Sequence, residues 1–400
     1  MLVVCVYFTR GTVLPWVLPV PAIGWILLAV LTLLLAVAIV IVGGGRWRWS
    51  WVMVLLAFAA GVCQAEQPKT AGFHWLGIVL LVISIGPLIL NSVAIELRAA
   101  TWRLTTTGMI ALTGIFTLWY LFRLPSFGKG FSSFMYQCML LGPIVGMGIV
   151  IGLMRAIHGH SWRWCLFAIL GIIPLLASGS RAAILATIAG IAFLLTRHKP
   201  ILGIGVIVLC ATLIYGFISR GRNLDSSSDS LTGAISQKGD LNSRAELWES
   251  RIAEFKSSPI IGIGMGMGND SKSYKDQNGG LHVEPGSSYL ALLSMTGLLG
   301  TISFFLTAGI LILRFIASRQ ICELDKDILS VVGIYLAVHG VAEGWVLAFG
   351  SPLCLLFWLW LGRVGDFVTQ SVTAKVKPNA RKPHLARTFR NRAWETLKQE

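Results

Sequence analysis

The sequence predicts an all-α protein, a polytopic membrane helix bundle of about 11–12 transmembrane helices with a large extracytoplasmic loop that contains an amphipathic helix. Two observations support this prediction. Hydrophobic residues make up 55% of the 400 residues and charged residues only 13%, whereas a soluble domain carries roughly 25% charged residues. Long apolar runs also recur along the chain, and a helix of about 20 such residues crosses a bilayer core. We therefore expect a single integral membrane domain over residues 1–400.

The apolar runs define the candidate spans. They cover residues 22–42, 49–64, 72–95, 106–124, 131–153, 164–178, 181–196, 200–219, 286–313, 328–348 and 351–369. The two spans on either side of Ser178–Arg181 are short, so we expect them to tilt or shorten around a polar pocket. Residues 1–20 contain prolines and form either an extra short helix or an interfacial lead-in, because no basic start or cleavage site indicates a signal peptide.

The basic residues predict the orientation of the bundle. The formal net charge is +15, and its excess lies in every second loop and in the tail 371–400. Loops of this kind face the cytoplasm, so the intervening loops, including the large loop 220–285, face the outside. A basic tail beside a span also suits anionic lipid headgroups. We therefore expect membrane lipids as partners and no nucleic acid.

The cysteines are not expected to form disulfides or to bind a metal. There are seven cysteines, none lies in the large loop, and none forms a closely spaced pair. This spacing argues against a disulfide framework or a zinc site. We predict no cofactor and no metal.

The large loop should contain one helix. Ser243 and Glu246 form a capping box, which predicts a helix from Arg244 to about Lys256, and Pro259 stops it. The apolar residues of this helix lie on one stripe at helical spacing, namely Trp248, Ile252 and Phe255. The glycine-rich segment 260–268 is either a phosphate-cradling loop or a turn packed tightly against the bundle, and the absence of a strand–helix context favours the turn.

Three chemically active side chains are predicted on the outer side. Arg181 opens a span after a turn of small residues, and it either snorkels at the interface or grips a phosphate through a bidentate fork. Arg244 lies on the loop helix, and His282 lies just before the next span. Two guanidinium groups suit a diphosphate and an imidazole suits proton transfer, although a lone loop histidine is often structural. The combination predicts a lipid diphosphate substrate.

At these residues the chain resembles the O-antigen ligase and polymerase superfamily. The resemblance covers roughly residues 175–315 and has three parts. These are Ser180-Arg181 with the apolar run 182–185, Arg244 with Trp248, Pro259 and 262–264, and His282 with Tyr289-Leu290 and 297–300.

The resemblance implies a membrane glycosyltransferase of the bacterial inner (cytoplasmic) membrane that acts on the periplasmic side. It would transfer a glycan from undecaprenyl diphosphate to an acceptor sugar, without a metal and with inversion of the anomeric centre. The acceptor is a lipid A core in a ligase and a lipid-linked repeat unit in a polymerase, and the sequence leaves both open.

The resemblance also implies residue roles. Arg181 and Arg244 would bind the diphosphate, and His282 would help to activate the acceptor. Many members have Asn after this histidine, whereas Val283-Glu284-Pro285 follow here, so Glu284 could share that role. Arg251 shares a helix face with Arg244 and is a further candidate for substrate binding.

Glu343 is the remaining ionisable group of interest, because intramembrane carboxylates are costly and often functional. It lies four residues after His339 and hence on the same helical face. It either lines a substrate channel or pairs with His339. The alternative function is a transporter or flippase of lipid-linked saccharides, which should show internal repeats and several midplane charges.

Overall fold

The computed structural model describes residues 41–123, 138–200, 241–266, 286–318, 323–349 and 351–376, with Leu34, Val37, Ala38, Gly268 and the short strands at 274–275 and 281–282. The predicted spans 22–42 and 200–219 lie almost entirely outside these residues. So do residues 1–20, most of the loop 220–285, and the tail beyond residue 376.

Helices dominate the described part of the chain. They are α1 (Trp49–Gln64), α2 (Pro68–Ser84), α3 (Ser92–Arg123), α4 (Cys138–Gly159), α5 (Trp162–Ser178), α6 (Arg181–His198), α7 (Leu241–Ser257), α8 (Ser288–Ala317), α9 (Glu323–Ala342) and α10 (Pro352–Val376). Two antiparallel strand pairs join β1 (Arg46–Trp47) to β2 (Ile89–Leu90) and β3 (Tyr274–Lys275) to β4 (Leu281–His282). Five helices, α3, α4, α6, α8 and α10, are long and apolar enough to cross a membrane, and α1, α2 and α5 are shorter apolar helices. The protein is an all-α polytopic membrane protein.

The predicted boundary between the third and fourth spans is wrong. The spans were expected at 72–95 and 106–124, but α2 ends at Ser84 and α3 runs as one helix from Ser92 to Arg123. Pro87 lacks a backbone N–H and cannot continue a helix. Asn91 then accepts a hydrogen bond from the Ala94 backbone N–H at 2.5 Å, which satisfies an otherwise unpaired donor in the first turn of α3.

The predicted span 328–348 is also wrong at its end. Helix α9 stops at Ala342, and irregular backbone follows before α10 begins at Pro352. Ser288 of α8 supplies the hydrogen bonds that the broken helix needs. Its hydroxyl donates to the Glu343 carbonyl at 2.7 Å and accepts from the Trp345 N–H at 3.0 Å. Non-helical backbone at membrane depth is tolerated where protein groups satisfy it in this way.

The helices alternate in direction, and the basic residues gather at one end, which we call the basic end. Arg98, which falls in the loop expected between the spans 72–95 and 106–124, is buried within α3 with 1% of its side chain exposed and binds Asp366 of α10 at 2.6 Å. Arg48 donates to the Gly365 carbonyl at 2.7 Å, and burial lowers its pKa to about 10 while Asp366 opposes that shift. This grouping agrees with the alternating basic loops of the sequence.

The same end extends to the second half of the bundle. The Lys326 ammonium of α9 donates to the Ile316 and Ser318 carbonyls at the end of α8, at 2.8 and 2.7 Å. The neighbouring Asp327 forms an ion pair with Arg197 of α6 at 2.7 Å. The ends of α6, α8 and α10 therefore lie at the basic end, and the starts of these helices lie at the opposite end.

An aromatic cluster holds α1, α8 and α10 together. Trp51 packs edge-on against Phe304 and Trp358, with ring centroids 6.2 and 5.8 Å apart. Trp51 and Trp358 are almost fully buried, and edge-to-face aromatic pairs of this kind are favourable. The contact fixes the middle of α8 against α1 and α10.

Candidate active site at the end opposite the basic residues

Arg181 is the first residue of α6. Gly179, with φ +65°, ends α5, and Ser180 caps α6 by accepting a hydrogen bond from the Ala183 N–H at 3.4 Å. The left-handed conformation at Gly179 is one that glycine adopts without strain. Arg181 is partly buried and lies at a helix N-terminus, a position that favours anions.

The packing of α6 against α9 fixes the height of Arg181. Near the basic end Arg197 pairs with Asp327, and further along, the side chains of Thr187 and Tyr335 meet beside Gly146. The two helices are therefore antiparallel, and each residue rises about 1.5 Å. By this register Arg181 lies level with the end of α9, where Glu343 follows Ala342.

Glu343 does not lie on a helix as predicted. It follows the last turn of α9, its side chain is partly exposed, and its carbonyl accepts hydrogen bonds from Ser288. His339 is buried and accepts a hydrogen bond at Nδ1 from the Trp345 indole at 3.1 Å. The two residues therefore have different surroundings, and Glu343 is the one at the edge of the helix break.

The same break joins α8 to α9. Ser287, the N-cap residue of α8, donates to the Gly340 carbonyl at 3.4 Å, and the Ser288 backbone N–H donates to the Glu343 carbonyl at 3.1 Å. His282 precedes this junction by five residues in sequence. The start of α8 therefore lies against the end of α9.

His282 lies in β4, where it pairs with Tyr274 of β3. Only the backbone of this strand is described, and Glu284 lies outside the described residues. Gly286, with φ +70°, leads into α8, and a side chain there would come within about 3.1 Å of Leu247. Gly286 therefore lies close to α7.

Helix α7 confirms the predicted loop helix, but it begins at Leu241, so Ser243 lies inside the helix and the predicted capping box is wrong. The Arg244 backbone is helical, and its side chain is not among those described. Further along the helix, Arg251 is buried with 3% exposure and forms an ion pair with Glu254 at 2.7 Å. Arg251 also lies 3.5 Å from the Ser294 hydroxyl of α8, so it sits between α7 and α8.

Helix α7 does not bury its apolar face as a simple amphipathic helix would. Trp248 and Ile252 of the predicted apolar stripe are 37% and 41% exposed, whereas Arg251 and Glu254 are buried against the bundle. The buried pair is self-neutralising, which is how charged groups are tolerated inside a protein. Trp248 and Ile252 therefore face away from the described bundle, whereas Phe255 is half-buried.

The glycine-rich segment after α7 packs against the bundle. Of the two alternatives predicted from the sequence, the structure therefore shows the tightly packed turn. The N–H groups of Ile263 and Gly264 donate to the Ser294 and Met295 carbonyls of α8 at 2.9 and 3.1 Å. In return, the N–H groups of Leu298 and Leu299 donate to the Pro259 and Ile260 carbonyls. These bonds replace the helical ones lost where α8 breaks at Gly297, whose φ is +63°.

Sequence reasoning missed the residues that build this junction. Ser288 and Gly297 control two helix breaks, yet they resemble ordinary small residues within an apolar run. The only local signal is the pair of glycines at 297 and 300, which is common in membrane helices. The breaks depend on hydrogen bonds from distant segments, which no local pattern reveals.

The described elements at this end offer specific chemistry. The N-terminus of α6 with Arg181 can bind an anion, and the edge of the α9 break carries a carboxylate. The backbones of α7 and β4 carry a second arginine and a histidine into the same loop. An arginine and helix-end amides suit a phosphate, and a histidine or carboxylate suits proton transfer.

The comparisons with known proteins agree with this arrangement. Residues 166–305 match the family model described as O-antigen ligase, about a third of the chain. The matched segment runs from α5 through α6 and α7 to the kinked half of α8, and it includes Arg181, Arg244 and His282. A search among curated proteins found no relative of this chain. The match supports assigning residues 166–305 of this all-α membrane protein to the O-antigen ligase/polymerase superfamily.

Proposed function

We propose that the protein is a membrane glycosyltransferase that moves a glycan from a polyprenyl diphosphate carrier to an acceptor sugar. The observation that supports this most is the placement of Arg181, at the N-terminus of α6 and level with the α9 break, within the segment that matches the O-antigen ligase family. We place this end of the bundle on the periplasmic side of the bacterial inner membrane. The donor is an undecaprenyl-diphosphate-linked glycan.

The reaction is an inverting displacement. The oxygen of an acceptor hydroxyl attacks the anomeric carbon, and the bond between that carbon and the diphosphate oxygen breaks on the opposite side. The diphosphate leaves with the electron pair, and the acceptor proton passes to His282 or Glu284. A general base in this position contributes roughly 10²–10⁴-fold to the rate. No metal is required.

The arginines stabilise the leaving group. Arg181 and the amides of α6 meet the charge that develops on the diphosphate, and Arg244 meets it from α7. A fixed donor at a developing charge in a water-poor site lowers the barrier by roughly 3–4 kcal/mol. Glu343 binds acceptor hydroxyl groups at the edge of the α9 break.

Arg251 is assigned an indirect part in substrate binding. Its ion pair with Glu254 and its approach to Ser294 hold α7 on α8, and this contact sets the height at which Arg244 is presented. The contacts with α8 thus hold the C-terminal half of α7, whereas Arg244 lies near the N-terminus of the same helix.

The test is glycan display in cells that carry Arg244→Ala as their only copy, with the lipid-linked intermediate extracted in parallel. We expect surface glycan to disappear and undecaprenyl-linked glycan to accumulate. Long chains on the carrier would identify a ligase, and single repeats would identify a polymerase. Lys256→Ala, an exposed cation of the same helix, is the matched control and should leave both pools unchanged.

Two other results would count against the proposal. Normal amounts of both pools in Arg244→Ala would mean that this arginine has no part in transfer. A lipid-linked pool confined to the cytoplasmic leaflet would indicate a transporter.

A further inference from the structure

Two histidines and an aspartate from three helices converge at the basic end. His158 lies near the end of α4, His198 is the last residue of α6, and Asp327 lies in the first turns of α9. The two imidazole Nε2 atoms are 3.0 and 2.9 Å from the same carboxylate oxygen, Oδ2 of Asp327. The Asp327 side chain is fully buried, while the histidines remain 22% and 24% exposed. These residues are about 170 positions apart at most, and no short motif links them.

We propose that these three side chains form a binding site for a divalent transition metal ion, with zinc as the preferred ion. The three potential ligand atoms all lie within 4.8 Å of one another. In a tetrahedral zinc site, bonds of about 2.0–2.2 Å place neighbouring ligand atoms roughly 3.3 Å apart. The observed separations from Oδ2 are only a few tenths of an ångström shorter. A small opening of the cluster therefore admits the ion, and the partly exposed imidazoles provide its entry path.

The remaining contacts of Asp327 suit this role. Its other oxygen, Oδ1, pairs with the Arg197 guanidinium at 2.7 Å, which leaves Oδ2 to the two imidazoles. An outer partner of this kind orients a ligating carboxylate. Lys326 is the next cation along the chain, but its ammonium donates to the Ile316 and Ser318 carbonyls. It therefore caps α8 and does not occupy the cluster.

The surrounding charge determines which ion the site selects. Arg197 and Lys326 disfavour any dication that is held by charge alone. Magnesium and calcium depend on several oxygen ligands, and this site offers a single carboxylate oxygen. Zinc and cobalt bind imidazole well, and two such ligands compensate for the unfavourable field. The site should therefore discriminate strongly against magnesium and calcium.

The ion would join α4, α6 and α9 and has no part in glycan transfer. His198 and Arg181 are at opposite ends of α6, about 25 Å apart at 1.5 Å per residue. The inference is thus independent of the proposed function. It departs from the expectation of no metal, which rested on the cysteine pattern, because its ligands are histidines and an aspartate that the fold brings together.

The test uses purified full-length protein with an affinity tag that contains no histidines. After treatment with EDTA and dialysis against zinc, elemental analysis should find about one zinc per chain. The midpoint of thermal unfolding should rise with zinc, since a ligand that binds only the folded state stabilises it, and it should not rise with magnesium or calcium. Cobalt should give the visible absorption bands of a low-coordinate site.

Variants assign the signal to the cluster. The double substitution His158→Gln/His198→Gln should abolish the bound zinc, the zinc-dependent shift in midpoint and the cobalt bands. His160→Gln, an exposed histidine at the same end, should retain all three. Equal zinc content and equal shifts in the wild type and the double variant would overturn the proposal. If the double variant fails to fold, wild-type protein with neither cobalt bands nor a zinc-dependent shift would overturn it as well.

Discussion

Asp366 balances three buried or half-buried arginines at the basic end. Arg98 binds it through Nε and Nη2, and Arg363 donates to its Oδ2 at 3.1 Å. Arg48 lies close enough to interact with it electrostatically. Arg98 also donates to the Gly86 and Ile89 carbonyls, so one side chain ties α3 to the turn before it and to α10. Removal of the carboxylate would leave like charges together inside the protein.

The first prediction therefore concerns Asp366. We expect Asp366→Ala to lower the free energy of unfolding by about 3–5 kcal/mol, because breaking a buried ion pair leaves an uncompensated charge. Arg103→Ala is the control, since Arg103 is exposed and makes only a weak contact with Ala99 within its own helix. Thermal unfolding in detergent measures both. An unchanged midpoint in Asp366→Ala would show that the arginines do not depend on this carboxylate.

At the residue scale, the sequence predicts where a charged side chain lies better than it predicts which side chain it pairs with. Arg181 was expected at the outer edge of a short span, and the structure places it at the N-terminus of α6, capped by Ser180. Arg98 was expected in a loop, but its partner Asp366 is 268 positions away. Arg251 was a candidate for substrate binding, and the structure places it in a buried ion pair with Glu254. Pairings over such distances leave no periodic signal.

At the scale of the helix, two breaks shape the candidate site. Helix α8 breaks at Gly297, where the glycine-rich segment after α7 inserts its backbone, and α9 ends at Ala342, where Ser288 binds the released groups. Each break is satisfied by hydrogen bonds from another element, so each fixes a junction rather than a hinge. Together they hold α7, α8 and α9 at the same end of the bundle.

The second prediction tests the break in α8. Gly297 has φ +63° and ψ −171°, a conformation that costs other residues of order 1–3 kcal/mol, and an added side chain would collide with backbone atoms of Ile260 and Gly262. Gly297→Ala should therefore lower the unfolding midpoint by several degrees. Gly309→Ala, in the same helix with open space around it, should be neutral or stabilising by roughly 0.5–1 kcal/mol. Equal effects of the two substitutions would mean that the break does not require a glycine.

The sequence predicts the helices of this fold but not these breaks. Apolar length fixes α1 and α5 closely, and Gly179 with Ser180 marks the turn before α6. The apolar run at 328–348 is continuous in composition, so nothing local shows that the helix stops at Ala342. The predicted span 72–95 is wrong although a local signal was present. Gly86-Pro87 stops the helix, but it lies within an apolar stretch and was not recognised.

At the scale of the whole molecule, the bundle has two chemically different ends. The basic end holds the Asp366 network and the cluster around Asp327. The opposite end holds the N-terminus of α6, the α9 break and the start of α8. The alternating basic loops predict this polarity, since they place basic residues on the cytoplasmic side. We propose that glycan transfer takes place at the end opposite the basic residues.

Arginines at the two ends allow this claim to be tested directly. Arg181 opens α6 at the candidate site, and Arg163 is an exposed residue in the first turn of α5 at the basic end. The measurement is the rate of glycan transfer from a polyprenyl diphosphate donor by purified protein in liposomes. We predict that Arg181→Ala lowers this rate by roughly 10²–10³-fold, the usual effect of removing one donor to a developing charge, and that Arg163→Ala leaves it unchanged. Full activity in Arg181→Ala, with correctly folded protein, would contradict the account.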